Sequence, residues 1–323
     1  MSIITWSFVV VVTRMDITYI FRQHDSKGHN HMIIFRTIIY IVLIIVSLDI
    51  FILYMNSHPP RYPLHIPPSR FGVTFEDAQF DASDGVKIKG WFIKGNGKGR
   101  VPTVIICHGL GANMSDFTEL AAGLSRNGYN TLLFDFRGHG ESERKASSFG
   151  YLEQKDLLGA IRFVKERKDV DAEEIAVYGF SMGGAVAVLT AAESGDIKAV
   201  IADSSFTALK EQGERLFKGS FLPSSIFLKP IVWMYELYFR VDADEIAPIN
   251  KIHAVSPRGM MIIGGGADEQ MPSSDAMRLF AAAREPKELW LIPGAVHGGT
   301  VYMAGDEYRK RILMFLQTHL KPK

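Results

Sequence analysis

The sequence predicts an α/β fold with a mostly parallel eight-stranded sheet and helices on both of its faces. Short apolar runs alternate with longer segments of helical periodicity, and several of these runs are continuously apolar, as strands covered on both faces are. Asp84-Gly85 predicts a hairpin between the first two strands. The predicted strands are 76–80, 86–93, 102–107, 130–134, 174–178, 198–202, 258–263 and 287–292. The predicted helices lie near 114–126, 151–168, 182–194, 273–284 and 302–319.

Composition excludes several classes of function. Of the 323 residues, 47% are hydrophobic and 22% are charged, which is typical of an ordered protein. The net charge of +1 leaves no basic surplus for a nucleic-acid partner. The single cysteine, Cys107, cannot form an internal disulfide, and no zinc spacing, phosphate loop or dinucleotide motif is present. We therefore predict no metal and no cofactor, and the sequence does not indicate an oligomeric state.

Residues 37–55 form an apolar run with one charge, Asp49, and as a helix they would span about 28 Å. This length predicts a transmembrane anchor. The alternative is a cleaved signal peptide with its apolar region at 37–48, but no small-residue cleavage site follows. Residues 1–36 are then a short cytoplasmic segment, most of which disappears if Met32 is the true start.

Basic residues are more frequent before the apolar run than after it, and the positive-inside rule then favours a cytoplasmic N-terminus. We predict a single-pass protein of the cell membrane with an extracytoplasmic globular domain. Residues 56–70 are proline-rich and predict a stiff spacer, followed by the domain at 71–323. An insertion at 206–256 predicts a helical cap, whose aromatic side chains either cover an acyl substrate or only pack the cap. These aromatic and apolar positions are Phe217, Phe221, Leu222, Phe227, Trp233, Tyr235, Tyr238 and Phe239.

A candidate nucleophile lies where a predicted strand meets a predicted helix. Gly179-Phe-Ser181-Met-Gly183 fits the G-x-S-x-G turn, in which glycines on both sides allow the serine a strained backbone. A serine hydroxyl needs a neighbouring base, and His297 in a glycine-rich loop is the candidate. Asp268, after the strand MMIIGG, is the predicted acid that orients this histidine. Asp203 and Asp135, each after another strand, are alternatives.

Five motifs together resemble the α/β-hydrolase superfamily, and within it the serine hydrolases grouped as serine aminopeptidase-like and Bem46-like. They are HGLG at 108–111, DFRGHGES at 135–142, the serine turn, GGADEQMP at 265–272 and GAVH at 294–297. The resemblance covers residues 71–323 and implies an α/β-hydrolase fold with the order Ser, Asp, His. It also implies an oxyanion hole made by the backbone N–H groups of Leu110 and Met182. His108 and His139 are expected to be structural.

The resemblance implies hydrolysis through an acyl-enzyme on Ser181, without a cofactor. We expect a carboxylesterase-like activity on a small-molecule carboxylic ester, with thioester or amide as related substrates. Lipase, thioesterase, peptidase or aminopeptidase-like, and acyltransferase activities stay open, because the motifs are specific to the fold and not to a substrate. A different class of function, a non-catalytic binding protein on the same fold, predicts the loss of a triad position, and all three positions are filled.

Overall fold

The computed structural model describes residues 27–216 and 224–321, and its centre is one eight-stranded sheet. The strand order is β1-β2-β4-β3-β5-β6-β7-β8. The first two strands form the predicted hairpin, β2 runs antiparallel to β4, and the other neighbours are parallel. The mostly parallel α/β architecture predicted from the sequence is therefore confirmed. The strands are β1 Glu76–Asp81, β2 Lys87–Ile93, β3 Val101–Cys107, β4 Asn130–Phe134, β5 Val170–Phe180, β6 Ala199–Asp203, β7 Gly259–Gly265 and β8 Lys287–Ile292.

Helices cover both faces of the sheet. The helices of the described residues are α1 Lys27–Ser57, α2 Thr118–Arg126, α3 Glu153–Lys165, α4 Met182–Glu193, α5 Leu209–Leu216, α6 Ser224–Phe239, α7 Pro248–Lys251, α8 Ser273–Ala282, α9 Thr300–Ala304 and α10 Asp306–His319. Alternate residues of β3 enter two different apolar clusters, because successive side chains of a strand point to opposite faces. One cluster is closed by α3, α4 and α8, and the other by α2 and α10.

Two elements of the domain depart clearly from their predictions, whereas the other strands begin and end within two residues of their predicted bounds. β5 begins at Val170, where it pairs with Val101 of β3, and its polar start (Asp171, Glu173, Glu174) does not resemble a buried strand. The helix predicted at 302–319 is two helices separated by Gly305, which has a φ of 53°. A residue with positive φ interrupts the helical hydrogen bonds, so the chain turns there.

The N-terminal apolar helix α1 is longer than the predicted 37–55 run, and the segment 1–26 that precedes it lies outside the described residues. Its portion His31–Ser57 is long and apolar enough to cross a membrane by length and composition. Residues 49–323 form one compact unit, which includes the last turns of α1.

The proline-rich segment after α1 lies along the domain and is hydrogen-bonded to it. Arg61 donates to the backbone oxygens of Gly140 and Ser142 at 2.6 and 2.8 Å. The Asn113 side chain donates to the Tyr62 oxygen at 3.1 Å. A segment expected as a spacer is therefore held against the domain at several points.

The insertion between β6 and β7 contains the helices α5, α6 and α7. Tyr235 and Phe239 of α6 are buried and pack in a cluster with Ala185 and Leu189 of α4. Part of the predicted aromatic set, Phe217, Phe221 and Leu222, lies outside the described residues.

Candidate active site

Ser181 lies on the turn between β5 and α4, above the centre of the sheet. Its backbone has φ 54° and ψ −117°, a conformation that ordinary residues avoid. The Ser181 N–H donates to the Asp203 backbone oxygen at 2.8 Å, which ties this turn to the end of β6. The side chain is only slightly exposed, at 7% for the residue. The turn therefore points a single hydroxyl out of a close-packed surface.

The glycines around Ser181 are required by close backbone contacts. A Cβ on Gly179 would lie 2.1 Å from the Gly183 oxygen, and a Cβ on Gly183 would lie 2.3 Å from the Cys107 oxygen. Both distances are far below van der Waals contact, and backbone atoms cannot move aside as a flexible side chain can. The sharp turn and the close approach of α4 to β3 thus depend on these two positions.

His297 joins Ser181 to Asp268. The His297 Nε2 is 3.1 Å from the Ser181 Oγ, and its Nδ1 is 2.8 Å from the Asp268 Oδ2. The other Asp268 oxygen, Oδ1, accepts the N–H groups of Gln270 and Met271 at 2.9 and 2.8 Å. Because Oδ1 is already held by the backbone, Oδ2 has one orientation, directed at the imidazole. The structure thus brings together the three side chains singled out from the sequence.

The two backbone N–H groups expected to form an oxyanion hole belong to residues near Ser181, one by chain position and one by the contact of its neighbour. Met182 follows Ser181 at the start of α4, and Leu110 follows Gly109, whose Cβ position is 3.3 Å from the Ser181 Cβ. Within the part of the chain that is described, neither N–H donates a hydrogen bond. An unpaired N–H at a helix start can receive a developing negative charge.

The two alternative carboxylates have other partners. Asp203 is fully buried, and its Oδ2 accepts hydroxyls from Tyr308 at 2.6 Å and Thr300 at 2.7 Å. Burial raises the pKa of Asp203, while these hydroxyls act in the opposite direction. Asp135 accepts the N–H groups of Met114 and Glu141, both at 2.8 Å, and so orders two loops. Neither carboxylate bonds the His297 ring.

His108 and His139 are buried and hydrogen-bonded to backbone. The His108 Nε2 accepts the Phe136 N–H at 3.0 Å and its Nδ1 donates to the Gly109 oxygen at 2.7 Å. The His139 Nε2 accepts the Gly111 N–H at 3.1 Å. Burial lowers the pKa of His108 to about 3 and also lowers the pKa of His139. These neutral rings hold the loop that carries the Leu110 N–H.

Two further residues contribute to the site and were not singled out from the sequence. The Phe180 ring lies 5.0 Å from the His297 ring, centroid to centroid, and limits its movement. Thr300, three residues after His297, anchors the histidine loop to Asp203. In the sequence Thr300 is only a threonine at the start of a short helix. This does not indicate its hydrogen bond to Asp203, which lies 97 residues away. Within residues 27–216 and 224–321, no group of three or more His, Cys, Asp or Glu is placed to hold a metal ion.

Comparison with known proteins identifies the family. A family model described as alpha/beta hydrolase fold matches residues 102–222. The uncharacterized protein YfhR of Escherichia coli K12 is 32% identical over 254 residues, which cover 77% of this chain and 82% of YfhR. The alpha/beta hydrolase domain-containing protein WAV2 of Arabidopsis thaliana is 30% identical over 81% of this chain and 84% of WAV2. The chain belongs to the α/β-hydrolase fold family.

Solved structures give the same fold. The esterase Pf2001 of Pyrococcus furiosus is 26% identical and superposes with a TM-score of 0.68, covering 82% of this chain and 98% of the esterase. An acetyl xylan esterase from Paenibacillus sp. R4 is 20% identical with a TM-score of 0.61, over 77% of this chain and 84% of that enzyme. At that identity the second similarity concerns the fold alone.

Proposed function

We propose that this chain is a membrane-anchored serine hydrolase that cleaves a carboxylic ester, or a related thioester or amide, through an acyl-enzyme on Ser181. The observation that carries the proposal is a chain of two hydrogen bonds, which runs from the Ser181 Oγ through the His297 ring to the Asp268 carboxylate. The similarity to the Pyrococcus furiosus esterase supports ester over peptide as the substrate. We also propose that the chain is a member of the serine hydrolases grouped as serine aminopeptidase-like and Bem46-like.

The chemistry follows from the positions of these atoms. The Ser181 Oγ attacks the substrate carbonyl carbon while the His297 Nε2 takes the hydroxyl proton, and Asp268 balances the imidazolium charge. The carbonyl oxygen becomes an oxyanion, which the N–H groups of Leu110 and Met182 stabilise. The alcohol leaves with the proton from His297. Water then attacks the acyl-enzyme while His297 takes its proton. The acyl–Oγ bond breaks as His297 returns this proton to the Ser181 Oγ, and the carboxylic acid is released.

Membrane attachment is the second part of the proposal and is supported by α1, whose apolar portion is long enough to span a bilayer. A cleaved signal sequence would have the same length and composition. The predicted topology has a cytoplasmic N-terminus and an extracytoplasmic catalytic domain.

A fluorophosphonate probe on the native, detergent-solubilised chain tests the catalytic part. We expect covalent labelling of the native protein and none of Ser181→Ala or of heat-denatured protein. Absence of labelling in the folded native protein would support a non-catalytic binding protein instead. Esterase, thioesterase and peptidase activities are then ranked with a panel of acyl esters of increasing chain length, thioesters and aminoacyl amides. Acyltransferase activity is measured by adding alcohols as acyl acceptors.

A further inference from the structure

The outer face of the cap helix α6 is unusually apolar for an exposed surface. Trp233 is 63% exposed, Leu237 65% and Tyr238 57%, whereas Tyr235 and Phe239 on the inner face are buried. Trp233 and Leu237 are four residues apart, so they lie one turn apart on the same side of the helix. An exposed face of this composition marks a surface that something apolar covers.

The last turns of α1 pack into the same apolar cluster as the inner face of α6. Leu53 packs against the cluster that contains Tyr235 and Phe239. The Ser57 oxygen accepts the Ser147 N–H at 2.7 Å, and Asp49 is fully buried. Asp49, Leu53 and Ser57 are spaced four residues apart and form one covered stripe of the helix. The end of α1 and the cap helix are therefore neighbours within one compact unit.

Charges and residue types on α6 fit the boundary between lipid and water. Lys229, one turn before Trp233, and Arg240, just past the helix, are both exposed, and neither is in an ion pair within the described residues. Tryptophan and tyrosine are enriched at membrane interfaces, and lysine and arginine there contact lipid phosphates. The acidic Asp242 and Asp244 that follow are both paired with Lys210.

We propose that the outer face of α6 (Trp233, Leu237, Tyr238) lies in the headgroup region of the bilayer that α1 enters. This inference rests on the membrane anchoring proposed above. Met271 belongs to the α6 cluster, and its N–H donates to Asp268 at 2.8 Å, so the cap helix and the candidate site share one packing unit. An ester dissolved in the membrane would then reach Ser181 beside the cap without crossing bulk water, which favours substrates with long acyl chains.

Two single-cysteine variants of the full chain test the docking. Both variants carry Cys107→Ala, which removes the one native cysteine. One then carries Leu237→Cys and the other Met314→Cys. Met314 is 66% exposed on α10, a helix of the opposite sheet face, and is therefore a matched control. Both are labelled with an environment-sensitive fluorophore and reconstituted into vesicles of phosphatidylcholine and phosphatidylglycerol. We expect a blue shift at 237 and strong quenching by spin-labelled lipid, and neither effect at 314.

The outcomes separate the two proposals. If the protein does not float with the vesicles, the anchoring is wrong. If it floats but the label at 237 behaves like the label at 314, the anchoring holds and the docking is wrong. Concentration-dependent self-quenching at 237 without lipid quenching would overturn the proposal in favour of a second copy of this chain as the covering partner.

A charge on the same face gives an independent readout. Leu237→Glu places a carboxylate in the proposed lipid-facing surface, where burial in the headgroup region is unfavourable. We expect at least a several-fold loss of turnover for a long-chain ester presented in vesicles, and unchanged turnover of a soluble short-chain ester. Equal turnover of the vesicle ester by the variant and the wild type would contradict the docking.

Discussion

Ser181 holds a backbone conformation that costs free energy, about 1–3 kcal/mol for a residue with a side chain. The surrounding contacts keep it there: its N–H bonds the end of β6, and Gly183 allows α4 to begin directly against β3. Asp268 is similarly constrained, because two N–H groups hold one of its oxygens and leave the other for His297. Local strain and backbone hydrogen bonds thus preorganise the three side chains before any substrate binds.

The proposed nucleophile and base should act as one unit. Ser181→Ala or His297→Ala each removes the proton transfer that starts the reaction, so we expect a loss on the order of 10⁶ in kcat from either. The double variant should lose little more than each single one. Steady-state hydrolysis of an activated ester measures all three. Substantial hydrolysis by Ser181→Ala would show that another group is the nucleophile.

The two buried carboxylates near the site should differ in their effect on catalysis. Asp268→Asn keeps the shape but favours the wrong histidine tautomer, so we expect a loss of roughly 10⁴ in kcat. Asp203→Asn retains an oxygen that can accept from Tyr308 and Thr300, so its loss should be far smaller. Both variants are compared by kcat after circular dichroism verifies folding. The opposite order of losses would assign the acid to the end of β6.

At the level of elements, the close approach of α4 to β3 leaves no room for a side chain at Gly183. Gly183→Ala puts a methyl group 2.3 Å from the Cys107 oxygen and 2.6 Å from the His108 oxygen. The helix must move away, and Ser181 and the Met182 N–H move with it. We expect a loss of about 10²-fold or more in kcat/KM. Gly195→Ala, where the added Cβ has no atom within 4 Å, is the control and should keep full activity. A fully active Gly183→Ala would contradict the tight packing at this turn.

The loops that follow β3 and β4 are joined by buried neutral histidines, which makes the stability of the fold depend on pH. An unfolded histidine titrates near 6.5, whereas burial lowers the pKa of His108 to about 3. Below pH 6.5 the unfolded chain binds a proton that the folded protein does not, so this stability is complete above pH 6.5 and is lost as pH falls. Between about pH 6.5 and pH 3, protonation of the unfolded chain at His108 lowers the free energy of unfolding by about 1.4 kcal/mol per pH unit.

Urea unfolding of the detergent-solubilised chain from about pH 7 to about pH 5 measures this slope. Burial raises the pKa of Asp135 to about 6, and this group contributes with the opposite sign, so the informative quantity is the difference between variants. His108→Gln keeps an acceptor for the Phe136 N–H and should have a shallower slope than the wild type. Equal slopes for wild type and His108→Gln would mean that His108 is charged in the fold.

At the scale of the whole molecule, the centre of the sheet could be predicted because strands such as β3, β6 and β7 are short, buried and largely apolar. The three candidate catalytic side chains could be predicted as a set because each follows a strand within a recognisable motif. The hydroxyls of Tyr308 and Thr300 on Asp203 could not, since these partners are 105 and 97 residues away and carry no motif. The docking of Arg61 was also unpredictable, because its acceptors are backbone oxygens, which every residue has.

The proposed membrane attachment is tested by fractionation. Because α1 offers an apolar length sufficient to span a bilayer, we expect the full-length protein in the membrane pellet, released by detergent and not by high salt. Salt release would indicate a peripheral, charge-dependent association. Recovery in the soluble fraction at a mass lacking α1 would indicate a cleaved signal sequence.

The orientation of the domain depends on a small difference in charge across α1. Arg14, Arg22, Lys27 and Arg36 precede its apolar centre, while Arg61 and Arg70 follow it, so the positive-inside rule favours a cytoplasmic N-terminus. Arg61 is hydrogen-bonded to Gly140 and Ser142, so it lies on the same side of the membrane as the folded domain. We therefore expect protease added to intact cells, with any outer barrier made permeable, to digest the domain while a cytoplasmic marker survives. Full protection of the domain until the membrane itself is lysed would mean that the domain lies on the cytoplasmic side. If that protein is still found in the membrane pellet, the proposed anchoring remains supported.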